Sequence, residues 1–511
     1  EGIMQFSADG EFLGYFAANE RKLTFAETVE DMLLTKEQKQ SLTLRIPRSI
    51  ENIDITDDDL IYSVTRFDSS DRDKKEKSIK LHNMVGIDIL SSVGRKEEWN
   101  FVDISSGNHG NVYAVTETGL VYEYDRAGEL LFSFGGRAVS NDRLGLFTKA
   151  AALDVDQSGV VYILDTERNL VQTFFPTEYA ALTHRAVSLL NDGKYEGSRQ
   201  VWSELLRLNG NARIAYIGTG RSLLYQQKYS ESMKYFRAVG DHEYYSSAFW
   251  ELRNQWIKKY MAVIIAAIAL LVVWFYVNMF KNKQRKRRVA MGEPVAQKKK
   301  RLPAYMKNFA FSKMFLNNPA DGYYYLKKGS YGSAVSATVL LFAEFLIFAL
   351  DMTARGYLFA QFDITKLPPY TLLFMFFVPF ALWVFGTYMV GAINDGEGTF
   401  RQIYCAAVYS LTPYLVITPF VIAASYILTE DEAFLVNFPA FIAVAWSVVL
   451  LIMSVLEIHN YTLKRTLKNV IIILFFMVLV VVAIAILYLI WTQVAVFIET
   501  VIGEVGYRVF S

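Results

Sequence analysis

Residues 260–280 read YMAVIIAAIALLVVWFYVNMF, an apolar run of 21 residues without a charged side chain. A helix of about 20 apolar residues crosses the hydrocarbon core of a bilayer, so this run predicts a membrane span. The same criterion predicts five further spans, at 333–350, 370–392, 404–428, 434–456 and 470–492. With 53% hydrophobic and only 20% charged residues among 511, the chain is not a purely soluble protein.

The distribution of Lys and Arg predicts the orientation of these spans. Two basic clusters, KNKQRKRR (281–288) and KKKR (298–301), follow the first span. Because cytoplasmic flanks carry the excess of cations, we expect this linker inside and both chain ends outside. We interpret the cluster as an orientation and surface anchor, with binding of anionic lipid or of a nucleic acid as its functional alternatives. Its residues are Lys281, Arg285, Arg287, Arg288, Lys298 and Arg301.

Composition excludes several classes of function. A net charge of +1 gives no basic field for nucleic acid. The single Cys405 excludes a disulfide framework and a cysteine-based metal site. No G-x-x-x-x-G-K-[ST] sequence occurs, so the chain is not a P-loop ATPase. The part predicted outside has neither glycosylation sequons nor disulfides, which favours a bacterial plasma membrane.

Residues 1–178 consist of short β-type runs separated by turn residues. Three stretches, 53–65, 102–136 and 153–175, each run from a hydrophobic–Asp–hydrophobic triplet through a polar turn to a strand centred on Tyr. Their tyrosines, Tyr62, Tyr113 and Tyr162, recur about every 50 residues, near the period of propeller blades. This region resembles an NHL-type β-propeller. The opening 3–16 matches the outer half of a blade, and about four blades are present where such propellers close with six, so we expect the natural N-terminus to be missing.

Some relatives of such propellers are metal-dependent lactonases, for which Asp54, Asp103 and Asp154 are the candidate ligands. These residues occupy the same place in each repeat. A recurring position serves the fold, here by turning the strand into the loop, whereas a metal site needs different residues that converge. We therefore expect no catalytic residue, no metal and no cofactor.

Residues 179–259 carry a second repeat with helical character. Lys194–Tyr195 pairs with Lys228–Tyr229, Ser198 with Ser232, and Trp202 with Phe236, all 34 residues apart. This spacing is the tetratricopeptide period, so the segment resembles two such repeats followed by a helix that continues into the first span. Repeats of this kind present a groove to a protein segment.

Residues 314–492 resemble the Yip (Ypt-interacting-protein) family of five-span membrane proteins. The resemblance rests on NPADGYYYLKKG (318–329) and on INDGEGTFRQIYCAAVYSLTPYL (393–415). Gly396 and Gly398 permit a tight turn, and Thr399 is placed to cap the next helix. Pro413 and Pro419 are expected to kink that helix.

The resemblance implies a binding role and no enzymatic activity. Combined propeller, tetratricopeptide and Yip modules are associated with bacterial carbohydrate ABC importers, which implies a permease, an ATPase and a solute-binding protein as partners. The alternatives are a cell-surface carbohydrate receptor or sensor, a stand-alone transporter and a propeller lactonase. The candidate loop contacts are Asp395, Gly396, Gly398, Thr399, Phe400, Arg401 and Gln402. In the membrane they are Glu344, Asp351 and Glu457, because an intramembrane carboxylate marks a functional site by default.

The sequence therefore predicts a multidomain chain. It comprises a partial β-propeller (1–178), helical repeats (179–259), a connecting span (260–280), a basic cytoplasmic linker (281–313) and a five-helix Yip-type bundle (314–492). The remainder, 493–511, is either an interfacial helix on the outer surface or a disordered tail.

Overall fold

In the computed structural model, the residues described are 2–17, 19, 49–56, 58–66, 77–90, 100–107, 110–138, 143–290, 304–329, 332–360 and 368–510. Side chains are described over the same ranges except at 282, 285–290, 304–310, 369, 499 and 501–510. The chain divides into two compact units, Glu1–Gln255 and Trp256–Ser511.

The first unit begins with four small antiparallel sheets in its described part. Their orders are β1-β2, β3-β4-β5, β6-β7-β8-β9 and β10-β11-β12. The strands are β1 Ile3–Phe6, β2 Phe12–Phe16, β3 Ile50–Ile55, β4 Ile61–Thr65, β5 Ile79–His82, β6 Phe101–Ser106, β7 Val112–Thr116, β8 Leu120–Tyr124, β9 Leu130–Gly135, β10 Ala150–Val155, β11 Val161–Asp165 and β12 Leu170–Phe174. The three sequence stretches that repeat correspond to the second, third and fourth sheets, and the opening stretch forms the β1-β2 hairpin.

One type of five-residue turn joins several of these strands. Between β8 and β9, the N–H of Asp125 donates to the carbonyl of Glu129 and the N–H of Gly128 donates to that of Asp125, both at 2.9 Å. Gly128 has φ +87°, a conformation that glycine adopts without a steric penalty. The Asp125 carboxylate also accepts from the N–H of Glu129 at 2.8 Å. The same backbone bonds close the turns at 7–11 and 156–160, so the recurring polar-x-x-Gly pattern specifies the hairpins.

Asp103 joins three sheets through its carboxylate. It lies on β6, and its Oδ1 accepts hydrogen bonds from the side chain of Asn52 on β3 and from the N–H of Ile104. Its Oδ2 accepts from the N–H of Leu153 on β10 at 2.7 Å. Burial raises the pKa of Asp103, although these hydrogen bonds act in the opposite direction. The side chain is only 5% exposed, so it fixes the first strand of its sheet against the first strands of both neighbours.

The two equivalent aspartates make similar bridges. Asp54 accepts from the N–H and the hydroxyl of Ser106, and Asp154 accepts from the hydroxyl of Ser105 at 3.4 Å. All three aspartates lie within strands and bond to a neighbouring sheet. The expectation that this position turns the strand into the loop is therefore wrong, because the carboxylates are used between sheets.

Replacing Asp103 by Ala should loosen this junction. The change leaves the buried N–H of Leu153 without an acceptor, which we expect to cost about 2–4 kcal/mol of local stability. Hydrogen exchange of peptides from β6 and β10 measures the effect. Asp154→Ala is the matched control, because Asp154 is exposed and its bridge is longer. Equal protection in the two variants would contradict the bridging role.

The helices of the first unit pack in chain order. They are α1 Glu178–Asn191, α2 Tyr195–Leu208, α3 Arg213–Tyr225, α4 Tyr229–Ala238 and the beginning of α5 His242–Ala290. Lys194 and Lys228 are the N-caps of α2 and α4. Trp202 and Phe236 are buried against α3, where a β-carbon on Gly218 or Gly220 would lie 2.2 and 2.5 Å from their rings. The 34-residue offset in the sequence is therefore an offset between equivalent helix positions.

A cluster of charges, of which Arg213 alone is exposed, connects the β8–β9 turn to the helices. Arg221 on α3 donates to Asp125, and Arg213 donates to Asp241 at 3.0 Å. Glu129 lies beside them at 1% exposure, and its Oε1 has no hydrogen-bond partner among the described residues. Burial, and then the charges of Asp125 and Asp241, raise the pKa of Glu129 to about 7. We call these five residues the Glu129 cluster.

The second unit is helical in its described part. After α5 come α6 Ala304–Asn317, α7 Pro319–Lys327, α8 Ala334–Thr353, α9 Pro369–Ile393, α10 Phe400–Ser410, α11 Thr412–Ser425, α12 Phe434–His459 and α13 Leu463–Phe510. Short 3₁₀ turns lie at Tyr357–Phe359 and Glu430–Glu432. Among the described residues, six helical segments are long and apolar enough to cross a membrane: His242–Lys281, Ala334–Thr353, Tyr370–Ile393, Phe400–Ser425, Glu430–His459 and Leu463–Ile498. Each overlaps one predicted span, and the fourth ends three residues before the predicted end at 428.

The fourth span differs from the prediction. One kinked helix was expected through Pro413, but α10 ends at Ser410 and α11 begins at Thr412. Pro413 lies in the first turn of α11, where a missing N–H breaks no intrahelical hydrogen bond. Pro419 is inside α11, where it removes one such bond.

Tyr323 anchors α7 to the helical bundle. It is 0% exposed, and its hydroxyl donates to the carbonyl of Leu450 on α12 at 2.8 Å and lies 2.8 Å from the hydroxyl of Ser410 on α10. The ring of Phe315 packs edge-on against it and stacks on Tyr409. The NPADGYYYLKKG segment therefore contributes a core residue of the membrane domain.

Candidate functional site

The residues between α9 and α10, 394–399, form a loop that the sequence analysis singled out. We call it the α9–α10 loop. Helix α9 ends with the N–H of Gly396 donating to the carbonyl of Gly391 at 2.8 Å and with Asp395 at φ +49°. Helix α12 ends in the same way. The N–H of Tyr461 donates to the carbonyl of Leu456, and Asn460 has φ +58°. These two left-handed caps bring the ends of α9 and α12 together.

The ring of His459 fills a cage of glycines. A β-carbon built on Gly391 would lie 2.4 Å from its Cε1, and one on Gly396 would lie 2.2 Å from its Nδ1. A β-carbon on Gly398 would lie 3.1 Å from Cε1 and 2.7 Å from Ile458. His459 is 2% exposed, and neither ring nitrogen has a hydrogen-bond partner among the described residues. Larger side chains at these positions would overlap the His459 ring or its neighbour Ile458. Glycine is therefore required by the packing of the ring as well as by the geometry of the turn.

Tyr461 and Arg465 complete the packing on the other side. Tyr461 stacks on His459 with ring centroids 5.2 Å apart, and the guanidinium of Arg465 lies 4.9 Å from the centroid of Tyr461. The Tyr461 hydroxyl and Arg465 both donate to the carbonyl of Asn394, at 2.9 and 2.6 Å. Arg465 also pairs with Asp395 at 3.1 Å. A cation at this place complements the negative end of the α9 dipole.

The exit from the loop is fixed by a capping box. The Thr399 hydroxyl accepts from the N–H of Gln402, and the Gln402 side chain accepts from the N–H of Thr399 at 3.0 Å. The amide of Gln402 also donates to the carbonyl of Lys327 at 2.9 Å. Lys327 pairs with Glu397 at 2.8 Å, and this hydrogen bond and charge lower the pKa of Glu397. The predicted cap at Thr399 is confirmed.

The outer face of the loop carries side chains that this framework leaves exposed. Ile393 is 80% exposed and Phe400 is 50% exposed, with its ring edge-on to Tyr388 at 5.6 Å. Arg401 is also exposed. The loop backbone is rigid, and it displays two apolar side chains beside the cation of Arg401 and the carboxylates of Asp395 and Glu397. Such a surface is suited to contact another protein.

The seven loop residues proposed from the sequence thus form one structure with two kinds of role. Gly396, Gly398, Thr399 and Gln402 build the loop, and Asp395, Phe400 and Arg401 are displayed on it. Sequence reasoning did not find His459, Tyr461, Arg465 and Lys327. An Asn directly after an apolar helical run, here Asn460, is the sequence signal for a helix that ends in a left-handed cap.

The three membrane carboxylates lie in different surroundings. Glu344 on α8 is 0% exposed, and neither of its oxygens has a hydrogen-bond partner among the described residues. A contact with another subunit would require the bundle to open, and no described residue of the bundle pairs with the carboxylate. Asp351 accepts from Arg355 at 2.7 and 2.9 Å and from the Tyr414 hydroxyl at 3.1 Å. Glu457 is half-buried near the end of α12.

The basic cluster is only partly within the described residues. Helix α5 extends to Ala290 and so includes Lys281, Arg285, Arg287 and Arg288 in its backbone. Lys298 and Arg301 lie outside the described residues. No group of three or more His, Cys, Asp or Glu side chains that could hold a metal ion occurs in the described part of the chain.

Comparison with known families supports the reading of the second unit. The family model of the Yip1 domain matches residues 314–486. The predicted resemblance of this region to the Yip family is thereby confirmed. No curated protein matches this chain.

Proposed function

We propose that this protein is a membrane-anchored accessory or scaffold subunit without enzymatic activity. Its second unit would attach to a membrane complex through the α9–α10 loop. The first unit, interpreted as a partial NHL-type propeller with two tetratricopeptide-like repeats, would dock a partner on the outer side. The complex we favour is a bacterial carbohydrate ABC importer, with its permease, its ATPase and a solute-binding protein as partners.

The observation that carries this proposal is the contrast between the two faces of the loop. The inner face is held by the glycine cage, the His459–Tyr461–Arg465 stack and the capping box. On the outer face, the side chains of Ile393 and Phe400 are not covered by the rest of the described chain. Exposed apolar side chains on a rigid support are typical of the anchors of a protein interface.

The location is part of the proposal. The basic flank of α5 predicts that the α9–α10 loop faces the cytoplasm of a bacterial cell. That is the side on which the ATPase of an importer would lie. Anionic lipid at Lys281 and its neighbours would hold the same flank to the membrane surface.

The test compares two alanine variants in the full-length protein purified from its native membranes. Phe400→Ala should reduce co-purification of the partner subunits by about tenfold, the usual loss for an interface anchor. Phe434→Ala is the matched control, because Phe434 is 68% exposed and begins α12, the helix whose other end meets the loop. Equal recovery of partners with both variants would remove the loop from the proposal.

A cell-surface receptor is the second candidate function. A polar cleft of about 520 Å³ in the first unit favours it. Hydroxyl and amide side chains line this cleft together with the ring of Tyr62 and the Arg126–Asp58 pair, which is the chemistry that recognises a polyhydroxylated ligand. Binding of a sugar that Tyr62→Ala abolishes, in a chain that purifies without partners, would favour the receptor.

A further inference from the structure

The first unit contains a second cleft, of different character. It has a volume of about 270 Å³ and lies beside β8, β9, β12 and the beginning of α1. Its lining includes the aromatic rings of Phe132, Phe134, Phe174 and Phe175. Phe134 and Phe174 approach to 5.1 Å between centroids, and Phe175 is 74% exposed. The volume is just below that of pockets for drug-sized ligands, so the cleft fits a smaller molecule.

A buried acidic residue, Glu123, belongs to the lining of this aromatic cleft. Glu123 on β8 is 3% exposed, and its Oε1 accepts from the side chain of Asn111 at 2.8 Å and from Nε2 of His184 at 2.6 Å. Burial, and then the charge of Glu123, raise the pKa of the neighbouring Tyr113. Neither Lys nor Arg is among the described residues that line the cleft. Among the described lining residues, His184 is the only one whose side chain can carry a positive charge.

These two features select one class of ligand. The face of an aromatic ring carries negative electrostatic potential and attracts an ammonium group, most strongly where water is excluded. A carboxylate in the lining of the same cleft adds an opposite charge. An anion would be repelled by Glu123, and a neutral ligand would gain no attraction from its charge.

We propose that this cleft binds a small organic cation, an alkylammonium or quaternary ammonium compound. The cationic head lies toward Glu123 and its alkyl groups contact the faces of the phenylalanine rings. This site is separate from the α9–α10 loop and does not depend on the accessory-subunit function.

The test uses choline as the probe and 3,3-dimethylbutan-1-ol as its uncharged isostere, with full-length protein in a non-ionic detergent. Isothermal titration should show choline binding at least about tenfold more tightly than the alcohol. Glu123→Gln should weaken choline binding by about tenfold or more and leave the alcohol unaffected. Glu196→Gln, which neutralises an exposed carboxylate on α2, is the matched control and should change neither.

A second variant keeps the test decisive if Glu123→Gln does not fold. Phe175→Leu retains an apolar side chain at an exposed position but removes the ring, so it should weaken choline by about threefold without altering the thermal stability. Absence of choline binding at about 10 mM, equal binding of choline and the alcohol, or equal choline affinity in the native protein and Phe175→Leu would each overturn the proposal.

Discussion

Gly391→Ala should destabilise the membrane domain by about 1–3 kcal/mol, whereas the same substitution in a His459→Ala chain should stabilise it by about 1 kcal/mol. The added methyl group overlaps the imidazole, because a β-carbon at 391 lies 2.4 Å from Cε1 of His459. When the ring is absent, the overlap is absent too. What remains is the higher helix propensity of Ala within α9.

The reversal of sign is the informative result. Residues in contact show non-additive free energies, and independent residues do not. Unfolding of the detergent-solubilised protein by heat or by SDS gives the four midpoints of the cycle. Gly386→Ala is the control on the same helix. A β-carbon at 386 would lie 3.1 Å from Phe476, and His459 is not among its nearest neighbours, so the effect of this substitution should not depend on His459. A loss of stability from Gly391→Ala that persists in the His459→Ala background would contradict the cage.

Glu129→Gln should stabilise the first unit at pH 8 by up to about 3 kcal/mol and have little effect at pH 5. The pKa of Glu129 is raised in the folded protein from its ordinary 4.5 to about 7. The protonated carboxyl therefore contributes stability that is fully present below about pH 4.5 and is lost as the pH rises through about 7. Above that pH the folded protein carries a buried, incompletely paired carboxylate, which the amide replaces.

Hydrogen exchange of peptides from β9 and α3 at several pH values reports this effect in the full-length protein. In the native chain, protection should fall between pH 5 and pH 8, and Glu129→Gln should flatten that dependence. Glu204→Gln, at an exposed position on α2, should leave it unchanged. An equally steep loss of protection in Glu129→Gln would show that another group of the Glu129 cluster controls the pH dependence.

The membrane spans were predictable because hydropathy alone determines them. Runs of about 20 apolar residues have one stable solution in a bilayer, a helix. An interruption of the fourth span by proline was predicted, but the end of one helix at Ser410 and the start of another at Thr412 were not, because Pro413 is compatible both with a kink and with the first turn of a new helix. Which applies depends on where the preceding helix ends, and this is set by packing around Tyr409 and Ser410.

The α9–α10 loop was predicted as a turn, but its purpose was not. The glycine-rich sequence predicts a tight turn of the backbone. It carries no information about the His459 ring that packs against these glycines. His459 lies more than 60 residues further along the chain than Gly396, so only the folded bundle brings them together. In the same way, three consecutive tyrosines at 323–325 do not reveal that Tyr323 is the buried one.

Sequence repeats predicted the small sheets of the first unit and the 34-residue offset of its helices. The cross-sheet use of Asp54, Asp103 and Asp154 was not, because hydrogen bonds between strands about 50 residues apart leave no local pattern. The Glu129 cluster was also missed. Its charges are individually ordinary in the sequence and become unusual only through burial.

The measurement that tests the proposed function most directly is purification of the untagged protein from native membranes in mild detergent, with mass spectrometry of the co-migrating proteins. Permease, ATPase or solute-binding subunits in a fixed stoichiometry are the result that the proposal predicts. A chain that migrates alone, with none of these subunits at any detergent concentration that preserves its fold, would contradict it.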